Sequence, residues 1–279
     1  VHVPEIYSEL SSSRVLTSEL IQGVPIDKIA MSLDDAHSSS LSADNSFADN
    51  AHNKPERDAA KSSAIDVPAA INASNIVLTQ QQRDEIGTAL MRLTLKELFE
   101  WRIMQTDPNW SNFLYDPAQH RINLIDFGAT RVYKKSFVDA YLRMVNACGA
   151  KDRQGIIDAS LEMGFLTGDE TKEMMDVHVT AAQIIGEPFN SPEPYDFVKG
   201  NISGRVGPLA AQMMHTRLAA PPMEAYTLHR KLSGAFLTLK RLGARVDCKK
   251  IMDDINAVYV YGPVDKHLLQ MPKIKVERA

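Results

Sequence analysis

The sequence predicts a mainly α fold with a few short β strands. Two observations carry that reading. Apolar residues recur at helical spacing behind capping signals through most of the second half of the chain. Two short strand-like runs flank an Asp-Pro turn near the middle, and no internal repeat is present.

Composition bounds the alternatives. The 279 residues are 44% hydrophobic and 24% charged, enough apolar material for one large core or two smaller ones. A net charge of −4 gives no basic field to attract nucleic acid, so no nucleic-acid partner is expected. Two cysteines, Cys148 and Cys248, rule out a disulfide framework and suit a reducing compartment. No apolar run approaches the roughly 18 residues of a membrane span. The first residue is Val1 and no presequence is visible, so the chain is expected to start in mid-protein.

In chain order, residues 14–20 read as a short strand leading into a turn at Gly23 and Pro25. Residues 31–76 are rich in Ser, Asp, Asn and Ala and poor in large apolar side chains; that composition cannot offset chain entropy and predicts a disordered insertion. Thr79 and Gln82 fit a capping box, and Ile86, Leu90, Leu93, Leu98 and Phe99 predict a helix running to about Met104. Strands follow at 112–115 and 122–125, joined by the turn at Asp116-Pro117. Thr167 and Glu170 form a second expected capping box, for a helix with the stripe Met174, Val177, Ala181 and Ile184, stopped by Gly186 and Pro188. Pro221 and Pro222 open a helix carrying Tyr226, His229, Leu232, Phe236 and Leu239, which Gly243 ends. Met213, Met214 and Met223 are expected in the core. His178, His215 and His229 lack metal-ligand spacing, so no zinc site is expected.

The chemistry concentrates in residues 105–131, QTDPNWSNFLYDPAQHRINLIDFGATR. Asp107 and Asn112 stand in an Asp-x-x-x-x-Asn spacing, and Asp126-Phe127-Gly128 follows the second strand directly. In kinase-type phosphoryl transfer one Asp lies beside the attacking group, the Asn five residues on holds Mg²⁺, and the Asp of the Asp-Phe-Gly turn holds Mg²⁺ against the phosphates. Asp107 is therefore the candidate catalytic carboxylate, and Asn112 and Asp126 are the candidate metal ligands. Asp-Phe-Gly alone is a weak signal. The ordered set of helix, Asp-x-x-x-x-Asn, two strands and Asp-Phe-Gly is a strong one, and it outweighs the bland alternative of two turn-capping acids and a strand-opening Asn.

These residues resemble the UbiB (aarF-domain, ABC1-type) family of atypical kinase-like proteins. Gln105-Thr106-Asp107-Pro108-Asn109-Trp110-Ser111-Asn112 resembles the family's Asp-Pro-Asn/His-x-x-Asn loop, where protein kinases carry His-Arg-Asp. The block LKELFEWRIMQTDPNWSNFLYD resembles the eukaryotic mitochondrial members, as do Phe165-Leu166-Thr167-Gly168, Glu193-Pro194-Tyr195-Asp196-Phe197 and Leu228-His229-Arg230-Lys231. The resemblance implies a protein-kinase-like C-lobe over residues 77–262, with residues 1–30 as hinge and end of the N-lobe and 263–279 as a basic tail. It implies ATP and Mg²⁺ as cofactors, a role in ubiquinone biosynthesis beside lipid or quinone-precursor pathway proteins, and a place on the matrix side of the mitochondrial inner membrane. Residues 15–23 resemble the hinge, which implies adenine bonding to backbone groups around Glu19 and Ile21. Lys266, Lys273, Lys275 and Arg278 would suit membrane-surface contact, with a solvated tail as the default.

The sequence also departs from a complete kinase. It contains no phosphate-covering small-residue loop, no strand Lys with its helix Glu, no Lys-x-Gly-Gln and no Ala-Pro-Glu after Asp126. The 279 residues alone are expected to be nearly inactive. The alternative readings are a pseudokinase-like scaffold of a biosynthetic complex and a small-molecule phosphotransferase.

Overall fold

A computed structural model describes residues 1–29, 76–218 and 220–262. Nearly all of the expected polar insertion (31–76) and all of the basic tail (263–279) lie outside the described residues. The chain forms two compact units: Val1–Leu78 with Trp110–Ile125, and Thr79–Asn109 with Asp126–Ala279.

The first unit is built on a three-stranded antiparallel sheet ordered β1 (Val24–Pro25), β3 (Phe113–Asp116) and β4 (Arg121–Leu124). The β3–β4 hairpin pairs Phe113 with Leu124 and Tyr115 with Ile122. Its turn is held by Asp116, whose Oδ1 accepts the amides of Ala118 (2.9 Å) and Gln119 (3.2 Å). Phe113, Tyr115, Ile122 and Leu124 are buried with Val24, and with Ile26 and Ile29 from the start of α1, which is described over residues 26–29. Pro25 is tolerated because β1 is an edge strand.

The expected strand at 14–20 is replaced by single bridges, Ile6 to Ser18 and Ser12 to Val15, because the chain doubles back on residues 5–7 instead of joining the sheet. The sheet is joined at residues 24–25, where a turn was expected. Gly23 permits this: its φ is +152°, and a Cβ there would stand 3.0 Å from both Leu114 Cβ and the Tyr115 carbonyl oxygen.

The second unit is helical. α2 (Gln80–Phe99) opens on Thr79 with the complete capping box to Gln82. It stops at Phe99, short of Met104, because Arg102 turns at φ 56° and the next residues enter a strand, β2 (Ile103–Gln105), which sequence periodicity did not reveal. β2 pairs antiparallel with β5 (Thr130–Val132). The helices α3 (Lys135–Gly149), α4 (Arg153–Glu162), α5 (Lys172–Gly186), α6 (Phe197–Gly200), α7 (Ile202–Thr216), α8 (Met223–Leu242) and α9 (Cys248–Val258) follow, with a small β6–β7 pair (Tyr195–Asp196, Arg245–Val246).

Gly87 sets the approach of α2 to the α8 end, since a Cβ there would lie 2.8 Å from Ala244 Cβ and 2.9 Å from Leu239 Cδ2. An aromatic cluster joins Phe99 of α2 to Tyr141 and Phe137 of α3 and to Tyr133 just before α3. No described helix is long and apolar enough to cross a membrane.

Three local expectations are corrected. α5 is capped by Thr171, whose side chain accepts from Met174 N, whereas Thr167 and Glu170 close a separate turn before the helix. His178 is buried in the α5 stripe, and Val177 is only half-buried. Met214 and Met223 are 75% and 56% exposed, so the methionine run does not lie in the core; α7 buries only Ile202.

Candidate phosphotransfer site

The second unit carries two of the predicted site residues on adjoining loops. Asp107 follows β2 and Asp126 precedes β5. The register Gln105 to Thr130 is extended by two bonds to the Ala129 carbonyl, from Thr106 N (2.9 Å) and Thr106 Oγ1 (2.7 Å). The ladder thus runs up to the residue before Asp107.

Each acid also braces its own loop. Asp107 Oδ1 accepts Asn109 N at 3.1 Å, and Asp126 Oδ1 accepts Gly128 N at 2.7 Å. Such bonds two residues ahead fix a carboxylate relative to its backbone. Asp126 is exposed, Asp107 is half-buried, and Phe127 is 46% exposed. Thr130 Oγ1 donates to the Phe127 carbonyl at 2.7 Å, which closes the Asp-Phe-Gly turn.

The first unit carries the others. Asn112 ends a 3-10 turn, Trp110–Asn112, and its carbonyl accepts Ile125 N at 3.1 Å. That bond ties the start of β3 to the residue immediately before Asp126. Trp110 packs on Phe113 with ring centroids 4.5 Å apart.

Glu19 Oε2 receives the His2 ring Nε2 at 2.8 Å and Glu5 N at 3.2 Å. The His2 contact, then the Glu5 amide, hold the Glu19 carboxyl below its ordinary range. The Glu19 amide itself is donated to Glu5 O at 2.8 Å. Among the described residues no backbone bond takes up the Glu19 carbonyl or the Ile21 amide. No described group of three or more His, Cys, Asp or Glu side chains is placed to hold a metal ion.

Sequence reasoning missed the group beneath Asp107. Lys231 of α8 is 0% exposed, and its Nζ donates to Gln105 Oε1 at 2.8 Å. Gln105 N in turn donates to Glu97 Oε1 at 3.3 Å, and Glu97 is 5% exposed. Burial pushes the Glu97 carboxyl up to about 7, against the pull of Lys231 and the Gln105 amide. Burial pushes the Lys231 ammonium down to about 8, against the attraction of Glu97 and Asp107. The available signal was a lysine and a glutamate set on the apolar faces of periodic helices: Lys231 lies beside buried Leu228 and Leu232, and Glu97 beside Leu98.

A helical body with paired short strands bearing an Asp-x-x-x-x-Asn loop and an Asp-Phe-Gly turn is a kinase-like fold. Residues 1–160 match the ABC1 atypical kinase-like domain, which is more than half of the chain, and the chain belongs to that family. It is 37% identical over 257 residues to "Atypical kinase COQ8B, mitochondrial" of Danio rerio, covering 92% of this chain and 34% of that protein. It is 38% identical over 266 residues to "Atypical kinase coq-8, mitochondrial" of Caenorhabditis elegans, covering 94% and 29%. The chain thus spans about a third of the length of the curated relatives it matches. Among solved structures, the Mycobacterium tuberculosis protein Rv3197, determined with erythromycin, aligns at TM-score 0.56 and 18% identity, covering 91% of this chain and 52% of that one. This likeness concerns the fold, and it accords with the expected mainly α, kinase-like architecture.

Proposed function

We propose that this chain carries the ATP- and Mg²⁺-binding C-terminal part of an atypical kinase or ATPase that supports coenzyme Q biosynthesis. In this reading Asp107 is the catalytic carboxylate and Asn112 and Asp126 are the metal ligands. The supporting observation is the β2–β5 ladder, which carries two acids on adjoining loops in the order and spacing of kinase-type chemistry. A carboxylate and an amide oxygen are hard donors of the kind Mg²⁺ takes, and the ion when bound would neutralise phosphate charge. The chain's own residues orient and hold: Asp126 is fixed by Gly128 N, and Asp107 by Asn109 N, at the point where an acceptor's proton would be received. The adenine edge falls to the Glu19 carbonyl and the Ile21 amide, and residues 1–30 act as hinge to a C-lobe over 77–262.

Relatives named as mitochondrial kinases support a mitochondrial protein. The proposal further puts it on the matrix side of the inner membrane, beside lipid or quinone-precursor pathway proteins. The 279 residues by themselves release little phosphate, since the sequence holds no phosphate-covering loop and no strand Lys.

The experiment measures nucleotide binding and phosphate release by the full-length protein with and without Mg²⁺. Asp126→Asn weakens Mg²⁺-dependent binding. Asp107→Asn lowers kcat by on the order of a hundredfold or more with a smaller effect on KM. Wild-type values in both variants would remove the site. A wild type that binds nucleotide and never releases phosphate would favour the scaffold.

A further inference from the structure

We propose that Lys231 is the positioning residue of the Asp107 loop, pinning Gln105 and thereby the strand end from which Asp107 departs. The inference rests on the reading of Asp107 as the catalytic carboxylate.

The placement of Lys231 is costly. It lies on the buried stripe of α8 with Leu228, Leu232 and Ala235, and it is 0% exposed. A leucine would fill such a position without desolvating an ammonium. The charge is answered by two groups from elsewhere in the same unit. Glu97 comes from the last turn of α2, and Gln105, 126 residues before the lysine, is the final residue of β2.

A lysine has donors only, so the Gln105 amide must present Oε1 to it. The Gln105 backbone is held separately by Glu97 Oε1. Side chain and main chain of one residue are therefore fixed by two buried side chains from different helices. Thr106, the next residue, is tied twice to Ala129, and Asp107 comes directly after. The loop cannot change its exit direction without breaking these bonds. Glu97, and after it Asp107, also favour the charged form of Lys231 against its burial. No other described lysine or arginine is 0% exposed.

The test uses the full-length protein with Lys231→Met, Asp107→Asn and the two together. Amide hydrogen exchange over residues 104–109 and steady-state kinetics with MgATP are the readouts. Lys231→Met should speed exchange at 104–109 while the α3–α4 amides keep their protection. It should lower kcat by about tenfold or more with KM within about threefold, a split that a merely structural lysine would not give. The double variant should be no slower than Asp107→Asn alone, because both changes act on one group. If Lys231→Met does not fold, Lys231→Met with Glu97→Gln removes both buried charges together and should show the same loosened loop. Unchanged exchange at 104–109 in the folded variant overturns the proposal, as does a kcat loss that multiplies with that of Asp107→Asn. Should Asp107→Asn turn over like wild type, the catalytic reading fails and the exchange data still decide whether Lys231 pins the loop. Should Asp107→Asn be inactive while Lys231→Met matches wild type in both readouts, the Lys231 inference alone fails.

Discussion

The two units hold their site residues by different means. In the first, Asn112 stands at the head of a hairpin, and its carbonyl is fixed by the backbone of Ile125; side chains from short, mostly edge-bound strands supply a small core. In the second, Asp107 and Asp126 leave a two-stranded ladder underlain by a helical core with a buried lysine, glutamate and glutamine among its aliphatic residues. The first arrangement depends on turn chemistry and on one glycine. The second depends on packing and on charge kept from water. The supporting residues of the first kind are replaceable wherever backbone geometry survives, whereas removing one buried charge of the second kind strands its partner.

Leu239→Ala puts the largest strain on this contrast. Leu239 is 0% exposed and faces the α2–α8 approach at Gly87. Its truncation should cost about 3 kcal/mol of unfolding free energy, read from the helical circular-dichroism signal in urea. A loss under about 1 kcal/mol would mean that the helical core does not carry the second unit.

Acidification tests the same core through its histidines. His229 stacks on Phe165 with centroids 5.1 Å apart. Burial, then His178 and Arg217, push its pKa down to about 4. His178, whose Nε2 meets Ser160 Oγ at 2.8 Å, is also pushed down to about 4, by burial and then Arg217, with Glu170 opposing. A folded pKa below the ordinary 6.5 means that the neutral ring is favoured in the fold. The stability is complete above the unfolded pKa and is lost as pH falls toward 4. Glu97, pushed up to about 7, works in the opposite direction over the same window, so the comparison must be between variants. His229→Phe should flatten the acid loss between pH 6.5 and 5 by about 1.5 kcal/mol relative to wild type. Parallel stability curves would mean that the ring is solvated.

The legible parts of the chain were those written in local chemistry. The Thr79–Gln82 box, the Asp116 turn and the Gly243 stop, with φ 64°, each act within a few residues and appear where expected. The candidate site of Asp107, Asn112 and Asp126 is read from their order and spacing, which kinase-type phosphotransfer constrains. β2 was not legible, because three residues have no period of their own and pair with a strand 27 positions on. Lys231 was only faintly so, because a place on an apolar helix face does not by itself separate a buried lysine from one that reaches past its helix to water. Its partners are distant in sequence, and the charge acquires meaning only once α2, β2 and α8 are brought together.

In the first unit, Gly23→Ala tests dependence on a single backbone position. A methyl group there meets Leu114 Cβ and the Tyr115 carbonyl at 3.0 Å and sits at an unfavourable φ of +152°. A cost of about 1 to 2 kcal/mol is expected, seen as faster exchange of the β3 amides at 113–116, with α8 protection unchanged. Unaltered β3 exchange would show that the sheet edge can give way without cost.

The smallest effect distinguishes two threonines at the start of α5. Thr167 matches the sequence pattern for a cap, yet Thr171 occupies the cap, with extended backbone (φ −64°, ψ 158°) and Oγ1 accepting Met174 N at 3.2 Å. Glu170 instead receives the amides of Thr167 at 2.7 Å and Gly168 at 2.9 Å. Burial works against the Glu170 charge, and these backbone bonds outweigh it and hold the carboxyl below its ordinary range. Removing the Thr171 hydroxyl leaves a helical N–H without its acceptor, so Thr171→Ala should cost about 1 kcal/mol. Thr167→Ala leaves both amide bonds to Glu170 in place and removes two exposed hydroxyl contacts, to Glu170 Oε1 at 3.0 Å and from Asp169 N at 3.3 Å, whose groups water can take up, so a few tenths of a kcal/mol, roughly, are expected. Urea midpoints of the two variants, measured at one pH with equal m-values, decide between them. A larger loss at Thr167 would return the cap to the position the sequence pattern suggests and would lengthen α5 by a turn at its N-terminus.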